Sequence, residues 1–279
     1  MKKINEKKHY SNRISLKTLF ELSNSLCKII LIKTETEREI RGTGFFMKIE
    51  GNKDFYCLIT TYHIITEELI TLNKSIEIIT EGGYNQIINF DNEKSRFIKF
   101  FKDLDITVIE ILDKDKIKDK VNYLSCDIND NDEYNKYLGK DFFILQYPKG
   151  KYLEFSNGRI INKINEYKFE HSASTYKGSS GSPIILFKNK KVIGVHIEYL
   201  KENNNIHNIG AFIGIIYKEL INLKKSKILT LKDLDKGNYL LEGPGQFTFT
   251  EFSMKGKQRL SLRNITFILG DSLNKFNIE

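Results

Sequence analysis

Three cysteines and three prolines are all that the 279 residues contain of either. Cys27, Cys57 and Cys126 show no CxxC spacing and no even-numbered framework, which excludes a zinc ribbon or a disulfide-stapled secreted scaffold and leaves free buried thiols as the expectation. The N-terminal stretch MKKINEKKHYSNRIS is basic but lacks the apolar run of roughly 7–15 residues that a secretory signal needs, and no segment reaches the roughly 20 residues that span a bilayer. A cytoplasmic protein with no membrane partner is therefore expected. The glycines form neither GxGxxG nor a P-loop, and the His, Cys and Asp residues lack ligand spacing, so neither a cofactor nor a metal is expected.

A net charge of +8 and a pI near 9.1 would suit a nucleic-acid partner. The lysines are interleaved with acids, as in KDKIKDK at 114–120, and no finger or RNP-like aromatic motif accompanies the charge. Nucleic acid is not expected as a partner. With 40% hydrophobic residues and a mean hydropathy of −0.37, the chain has the composition of a soluble globular protein, long enough for one large or two small cores.

What is present is a series of short apolar runs broken by Gly, Asn and Asp: LCKIILI, GTGFFMKI, FYCLITT, SIEIIT and ITVIEIL, then, after a charged Asn-rich connection at 113–136, FFILQY, RIINKI, PIILF, KVIGVHI and IGAFI. That is strand punctuation, and the class it predicts is mainly β. IGIIYKELINLKK, at 213–225, has helical spacing and a lysine-rich end, which predicts one closing helix at about 212–225. Residues 1–25 read as a basic segment with a short helix, 26–225 as the main domain, and 226–279 as a small β-rich extension in which NYLLEGPGQFTFTEF and RLSLRNITFIL carry no recognisable chemistry.

Chemistry concentrates in GSSGSP, residues 178–183. Acyl transfer by a serine needs two backbone N–H groups aimed at one point; Gly178 permits the bend, Gly181 permits close approach, and Pro183 opens a strand without needing a donor. Alone, the motif fits an ordinary Gly/Ser hairpin loop equally well. A serine nucleophile also needs a base and a group that orients it. Of His9, His63, His171, His196 and His207, His63 ends the strand FYCLITT, where it is either that base or a core histidine. Asp105 heads DITVIEI, read as a half-buried alternating strand, with Asp103 two residues before it as the alternative carboxylate.

In combination, GTGFF, LITTYH, DLDITVIEI and GSSGSP, in that order, resemble the chymotrypsin-like (trypsin-fold) serine peptidases over about residues 26–222. The resemblance implies two six-stranded antiparallel β-barrels, at about 26–120 and 135–215. It also implies a triad of His63, Asp105 and Ser180 in the cleft between them, with the Gly178 and Ser180 N–H groups as oxyanion hole. STYKGSSGSPIILFKNKKVIGVHIEYL, from Ser174 onward, is most similar to glutamyl endopeptidases of the staphylococcal type and also to picornavirus cysteine proteases. By that likeness Thr175 and His196 bind a Glu or Gln side chain, and Ser174 stands where an aspartate would recruit Lys or Arg. Ile197, Glu198 and Tyr199 occupy the stretch where relatives commonly carry a pair of glycines that pair with the substrate backbone, and Ser179 replaces the aspartate that binds a freed N-terminus. The activity implied is a serine endopeptidase acting on proteins or peptides after Glu or Gln. Two competing readings are a catalytically silent trypsin-fold module that binds an extended peptide, and a regulator that cleaves only itself. The sequence carries no statement about oligomeric state.

Overall fold

Apolar runs and their punctuation map directly onto strands and turns. The computed structural model describes residues 13–32, 38–51, 54–73, 75–90, 96–128, 134–202, 205–227, 246–248 and 266–268. The chain divides into two compact units, Met1–Leu223 and Lys224–Glu279.

In the first unit, β1 (Leu26–Ile32), β2 (Arg38–Ile49), β3 (Phe55–Thr61), β4 (Ser75–Thr80), β5 (Asn85–Asn89), β6 (Ile98–Phe101) and β7 (Ile106–Glu110) form one antiparallel sheet in the order β5-β4-β1-β2-β3-β7-β6. Six further strands, β8 (Asp141–Gln146), β9 (Glu154–Lys163), β10 (Lys168–His171), β11 (Pro183–Leu186), β12 (Val192–Glu202) and β13 (Asn205–Phe212), close into a barrel. The mainly β trypsin-like architecture is thus present, with one refinement. The first half has seven strands and its edges β5 and β6 are not paired with each other, so it is an open half-barrel, whereas the second half is closed.

Three helices accompany the strands: α1 (Leu16–Ser23), α2 (Glu67–Asn73) and α3 (Gly214–Lys227). Ser15 caps α1, its hydroxyl accepting from the Thr18 N–H at 3.0 Å. The closing helix α3 begins and ends two residues later than expected. In the second unit, β14 (Gln246–Thr248) and β15 (Thr266–Ile268) pair antiparallel, each within one of the strand-like stretches of the extension. The GPG turn, the basic residues up to 12 and His9 lie outside the described residues.

Strands β3, β7, β8 and β11 are nearly continuously buried because both of their faces are covered. Successive side chains point to opposite sides, so on β2 Phe45 and Met47 enter one buried cluster and Phe46 another. On β8, Phe143 and Leu145 join the cluster that also holds Phe45 and Met47, while Phe142 and Ile144 fill the closed barrel with Phe169 and Phe212. The same reason corrects the expectation for ITVIEI. β7 is not half-buried: Ile106 and Val108 face one cluster, Ile109 faces the other, and only Glu110 of the strand is partly exposed.

The connection at 113–136 stitches the two sheets together. A bidentate pair, Arg96 to Asp115 at 2.7 and 2.9 Å, is buried at its start, and Asp115 also accepts the Leu112 N–H. Further on, Lys48 N–H donates to Leu124 O on one side, and Val192 N–H donates to Ser125 O on the other. Cys27, Cys57 and Cys126 are free and buried. Burial pushes the Cys27 thiol far up and that of Cys126 to about 12, which keeps both protonated.

Candidate active site

His63 follows the end of β3 in a tight turn, where Ile64 and Ile65 N–H groups both donate to Thr61 O. Ile64 and Ile65 are buried and pin the turn to the core, which leaves the His63 ring 49% exposed at the rim. Asp105 is held differently from the expectation of a plain strand start. It caps a short 3-10 helix, Lys102–Leu104, with φ 54 and ψ 43, a left-handed conformation that Asp tolerates better than most residues. This kink turns the carboxylate onto His63. One oxygen accepts the His63 backbone N–H at 2.9 Å, and the other meets Nδ1 at 2.6 Å. Tyr62 N–H adds a third link, to the Asp105 carbonyl at 2.9 Å. Because an ionised carboxylate only accepts, the proton of the neutral ring sits on Nδ1 and the lone pair on Nε2. Asp103 is exposed within the 3-10 helix and makes no such contact among the described residues.

Ser180 lies in a turn bracketed by two glycines with positive φ, Gly178 at +96° and Gly181 at +88°. Neither position has room for a side chain. A Cβ on Gly181 would lie 2.0 Å from Thr43 O, and one on Gly178 would lie 2.8 Å from Tyr147 O. The turn is wired through its carbonyls. Lys177 O accepts from Lys149 N–H at 2.6 Å, and Ser179 O accepts from Ser182 N–H at 3.1 Å and from its hydroxyl at 2.6 Å. Gly178 O accepts from the Thr43 hydroxyl at 2.8 Å, and Ser180 O from Thr43 N–H at 2.9 Å. In a trans peptide the N–H points opposite to the preceding carbonyl, so fixing Lys177 O and Ser179 O fixes the N–H groups of Gly178 and Ser180. Among the described residues neither of these N–H groups donates to another atom.

The same wiring brings the second barrel's serine to the first sheet's histidine. Gly42, next to Thr43 on β2, sits between Ile64 and Ser180: a Cβ there would be 2.2 Å from Ile64 Cδ1 and 2.9 Å from Ser180 O. His63 and Ser180 therefore flank one strand, although no hydrogen bond joins their side chains among the described residues. Ser179 is fully buried, its hydroxyl accepting Tyr176 N–H at 3.0 Å. It serves as a local cap of the loop.

His196, on β12, is 2% exposed; its carbonyl accepts Gly181 N–H and its N–H donates to Ser182 O, both at 2.9 Å. Its ring Nδ1 is 3.1 Å from Nε2 of His171, a second buried histidine stacked edge-on to Phe142. Burial lowers the His196 pKa to about 3; the Ile209 carbonyl opposes the shift and nearby His63 adds to it. Burial, then His196, drives His171 well below its ordinary value as well. Both rings are neutral at physiological pH.

Thr175 is partly buried, and its hydroxyl is 2.5 Å from Oδ1 of Asn208, whose Nδ2 donates to Ala173 O at 2.9 Å. Ala173 O can only accept, so the Asn208 amide is oriented and the Thr175 proton must point at Asn208. Ser174 is exposed, with its carbonyl accepting from Gln146 Nε2. A cleft of about 650 Å³ borders Ser174, Thr175 and Tyr176, with Lys149 and Lys151 opposite, but Ser180, His63 and His196 do not line it. We take the hydrogen-bonded residues, not that cleft, as the candidate site. The Ile197 side chain is in the core, so only its backbone is available for contact. That backbone is released from the ladder by a bulge between His196 and Glu198. Tyr199 is 55% exposed on the same strand.

Thr43, His171 and Asn208 are the residues that sequence reading passed over. Thr43 stood inside the GTGFF motif without a role; His171 and Asn208 sit at adjacent strand positions whose pairing across the barrel, His171 opposite Asn208, has no local signature. Among the described residues no cluster of three or more His, Cys, Asp or Glu side chains can hold a metal, and no helix is long and apolar enough to cross a membrane.

Comparison with known proteins identifies the family and the fold. The family model described as trypsin-like peptidase domain matches residues 42–195. No curated protein matches the chain in sequence. Among solved structures, the serine endoprotease from Yersinia pestis aligns with a TM-score of 0.54 at 14% identity, and the HtrA-type protease AlgW, solved with a decapeptide, with a TM-score of 0.50 at 12% identity. Each alignment covers 75% of this chain and 66% of the other, just under two thirds of the solved protein. At this identity the likeness is one of fold.

Proposed function

The chain belongs to the trypsin-like peptidase domain family, and from that premise we propose that it is a serine endopeptidase working through His63, Asp105 and Ser180. The observation that carries the reading is the two-point clasp of Asp105 on the ring and backbone of His63, next to a serine whose turn leaves two N–H groups unengaged. In the reaction, Ser180 Oγ attacks the peptide carbonyl while Nε2 of His63 takes its proton. Asp105 holds the Nδ1–H tautomer and stabilises the imidazolium. The carbonyl oxygen, now negative, receives the Gly178 and Ser180 N–H groups. His63 then gives its proton to the departing amine, and water, deprotonated by the same ring, releases the acyl group. Substrate backbone is proposed to extend along Ile197–Tyr199, because main-chain bonding between the Ser180 segment and β12 runs only as far as His196 and leaves that edge open beyond it.

The proposed specificity is for Glu or Gln before the scissile bond, read by His196 and Thr175, and the hydrogen-bond polarity favours Gln. His196 is neutral and brings no positive charge to hold a carboxylate, and Thr175, its proton committed to Asn208, supplies a lone pair. A carboxamide N–H can donate to that lone pair; a carboxylate offers acceptors only. The test is to treat wild type and Ser180→Ala with a fluorophosphonate and then with a peptide library read by mass spectrometry. Labelling and cleavage after Gln or Glu, in wild type alone, supports the reading. Labelling with cleavage elsewhere removes the pocket assignment, and the absence of labelling removes the enzyme.

A further inference from the structure

We propose that Thr43 is the positioning residue of the oxyanion hole, a role that rests on the serine-peptidase reading above. Four consecutive carbonyls, those of Lys177, Gly178, Ser179 and Ser180, fix the nucleophile turn. Two are held from within the second barrel, by Lys149 N–H and by Ser182. The other two are held by a single residue of the first sheet: the Thr43 hydroxyl on Gly178 O at 2.8 Å, and the Thr43 N–H on Ser180 O at 2.9 Å. The same hydroxyl accepts Tyr147 N–H at 3.1 Å, so it ties the hairpin that carries Lys149 to the turn that carries Ser180. Thr43 O is in turn fixed by the Thr60 hydroxyl at 2.8 Å, and Thr43 is fully buried.

The chemistry needs a side chain of this kind. A hydroxyl both donates and accepts through one atom, and both ends of the link are main-chain groups, the Tyr147 end buried and the Gly178 end partly so. The pinned carbonyl belongs to Gly178, the residue with the least intrinsic hold on its own backbone. The Gly178–Ser179 peptide joins the two peptides whose N–H groups form the hole, so its orientation sets the angle at which they converge. Ser179 N–H, on Tyr176 O at 2.9 Å, holds one side of that peptide; the Thr43 hydroxyl holds the other. The hydroxyl's partners are Gly178 O and Tyr147 N–H, so it acts on the reaction through these main-chain groups and not by direct contact with the reacting atoms.

The test compares Thr43→Val, which keeps the shape and removes the hydroxyl, with Thr43→Ser, which keeps the hydroxyl. For Thr43→Val, kcat is expected to fall about 10²-fold, near the lower end of what loss of one oxyanion donor costs, with KM within about threefold of wild type. Affinity for a peptide boronate, which presents the tetrahedral anion, should fall in parallel, while binding of the matched product peptide and the shape of the pH–rate profile stay as in wild type. Thr43→Ser should restore kcat to within about threefold. If Thr43→Val does not fold, Thr43→Ala carries the same forecast. An active Thr43→Val with wild-type kcat, a loss confined to KM, or a Thr43→Ser as impaired as the valine variant each overturns the role of Thr43 and leaves the peptidase reading intact. A wild type that neither cleaves peptides nor reacts with fluorophosphonate overturns both.

Discussion

Two neutral histidines sealed inside the closed barrel make the protein sensitive to mild acid. His171 and His196 are each 2% exposed, and their ring nitrogens lie 3.1 Å apart. In the unfolded chain each titrates near 6.5; in the folded chain burial holds His196 at about 3 and His171 well below its ordinary value. Below about pH 6.5 the unfolded state therefore binds protons that the folded state refuses. Stability is full above that pH and is lost as pH falls toward about 3. Each group contributes a slope of about 1.4 kcal/mol per pH unit, so going from about pH 7 to about pH 5 should cost about 2 kcal/mol per histidine and about 4 kcal/mol for the pair. The assay is urea unfolding at those two pH values for wild type and for His171→Phe, whose new ring would join Phe142 and Phe169 already packed there. The variant should lose about 2 kcal/mol less than wild type over the interval. Most Asp and Glu groups titrate below it, and any that do not cancel in the difference. Equal losses in the two proteins would refute the argument that His171 is buried without its proton.

Asp105→Asn should leave the turn folded but lower kcat about 10⁴-fold, since an amide can hold the wrong tautomer of His63; initial-rate kinetics on a cleaved peptide would check it. Gly181→Ala should abolish activity and lower the unfolding midpoint, because its methyl would meet Thr43 O at 2.0 Å in a left-handed backbone. Thermal unfolding and fluorophosphonate labelling would read both effects. Asn208→Leu frees the Thr175 proton for the pocket, so the Gln-to-Glu ratio of kcat/KM should fall, by about tenfold for one hydrogen bond of about 1.4 kcal/mol.

Strands and their order along the chain were legible because each apolar run is short and punctuated, and two of the four motifs, GTGFF and GSSGSP, hold Gly42 and Ser180, which the structure sets side by side. Less was readable where pairing is long-range. The seventh strand and the open edge of the first sheet depend on which strands meet, and no local pattern encodes that. Asp105, and not Asp103, meets His63, and its left-handed cap was not foreseen, since DITVIEI reads as uninterrupted strand. Asn208 and Thr175 are far apart in sequence, so the direction of the Thr175 proton is visible only once β10 and β13 have paired.

The carbonyl wiring of the nucleophile turn also has a bearing on how the protein is assembled. Half of the turn's anchors are on β2, which belongs to the other sheet. A second barrel formed alone would present Gly178 and Ser180 with two carbonyls unheld and without His63, which belongs to the first sheet. On the proposed reading, docking of the two sheets and shaping of the Ser180 turn are a single event, and a chain still being completed or half unfolded should be inert toward its neighbours until that interface closes.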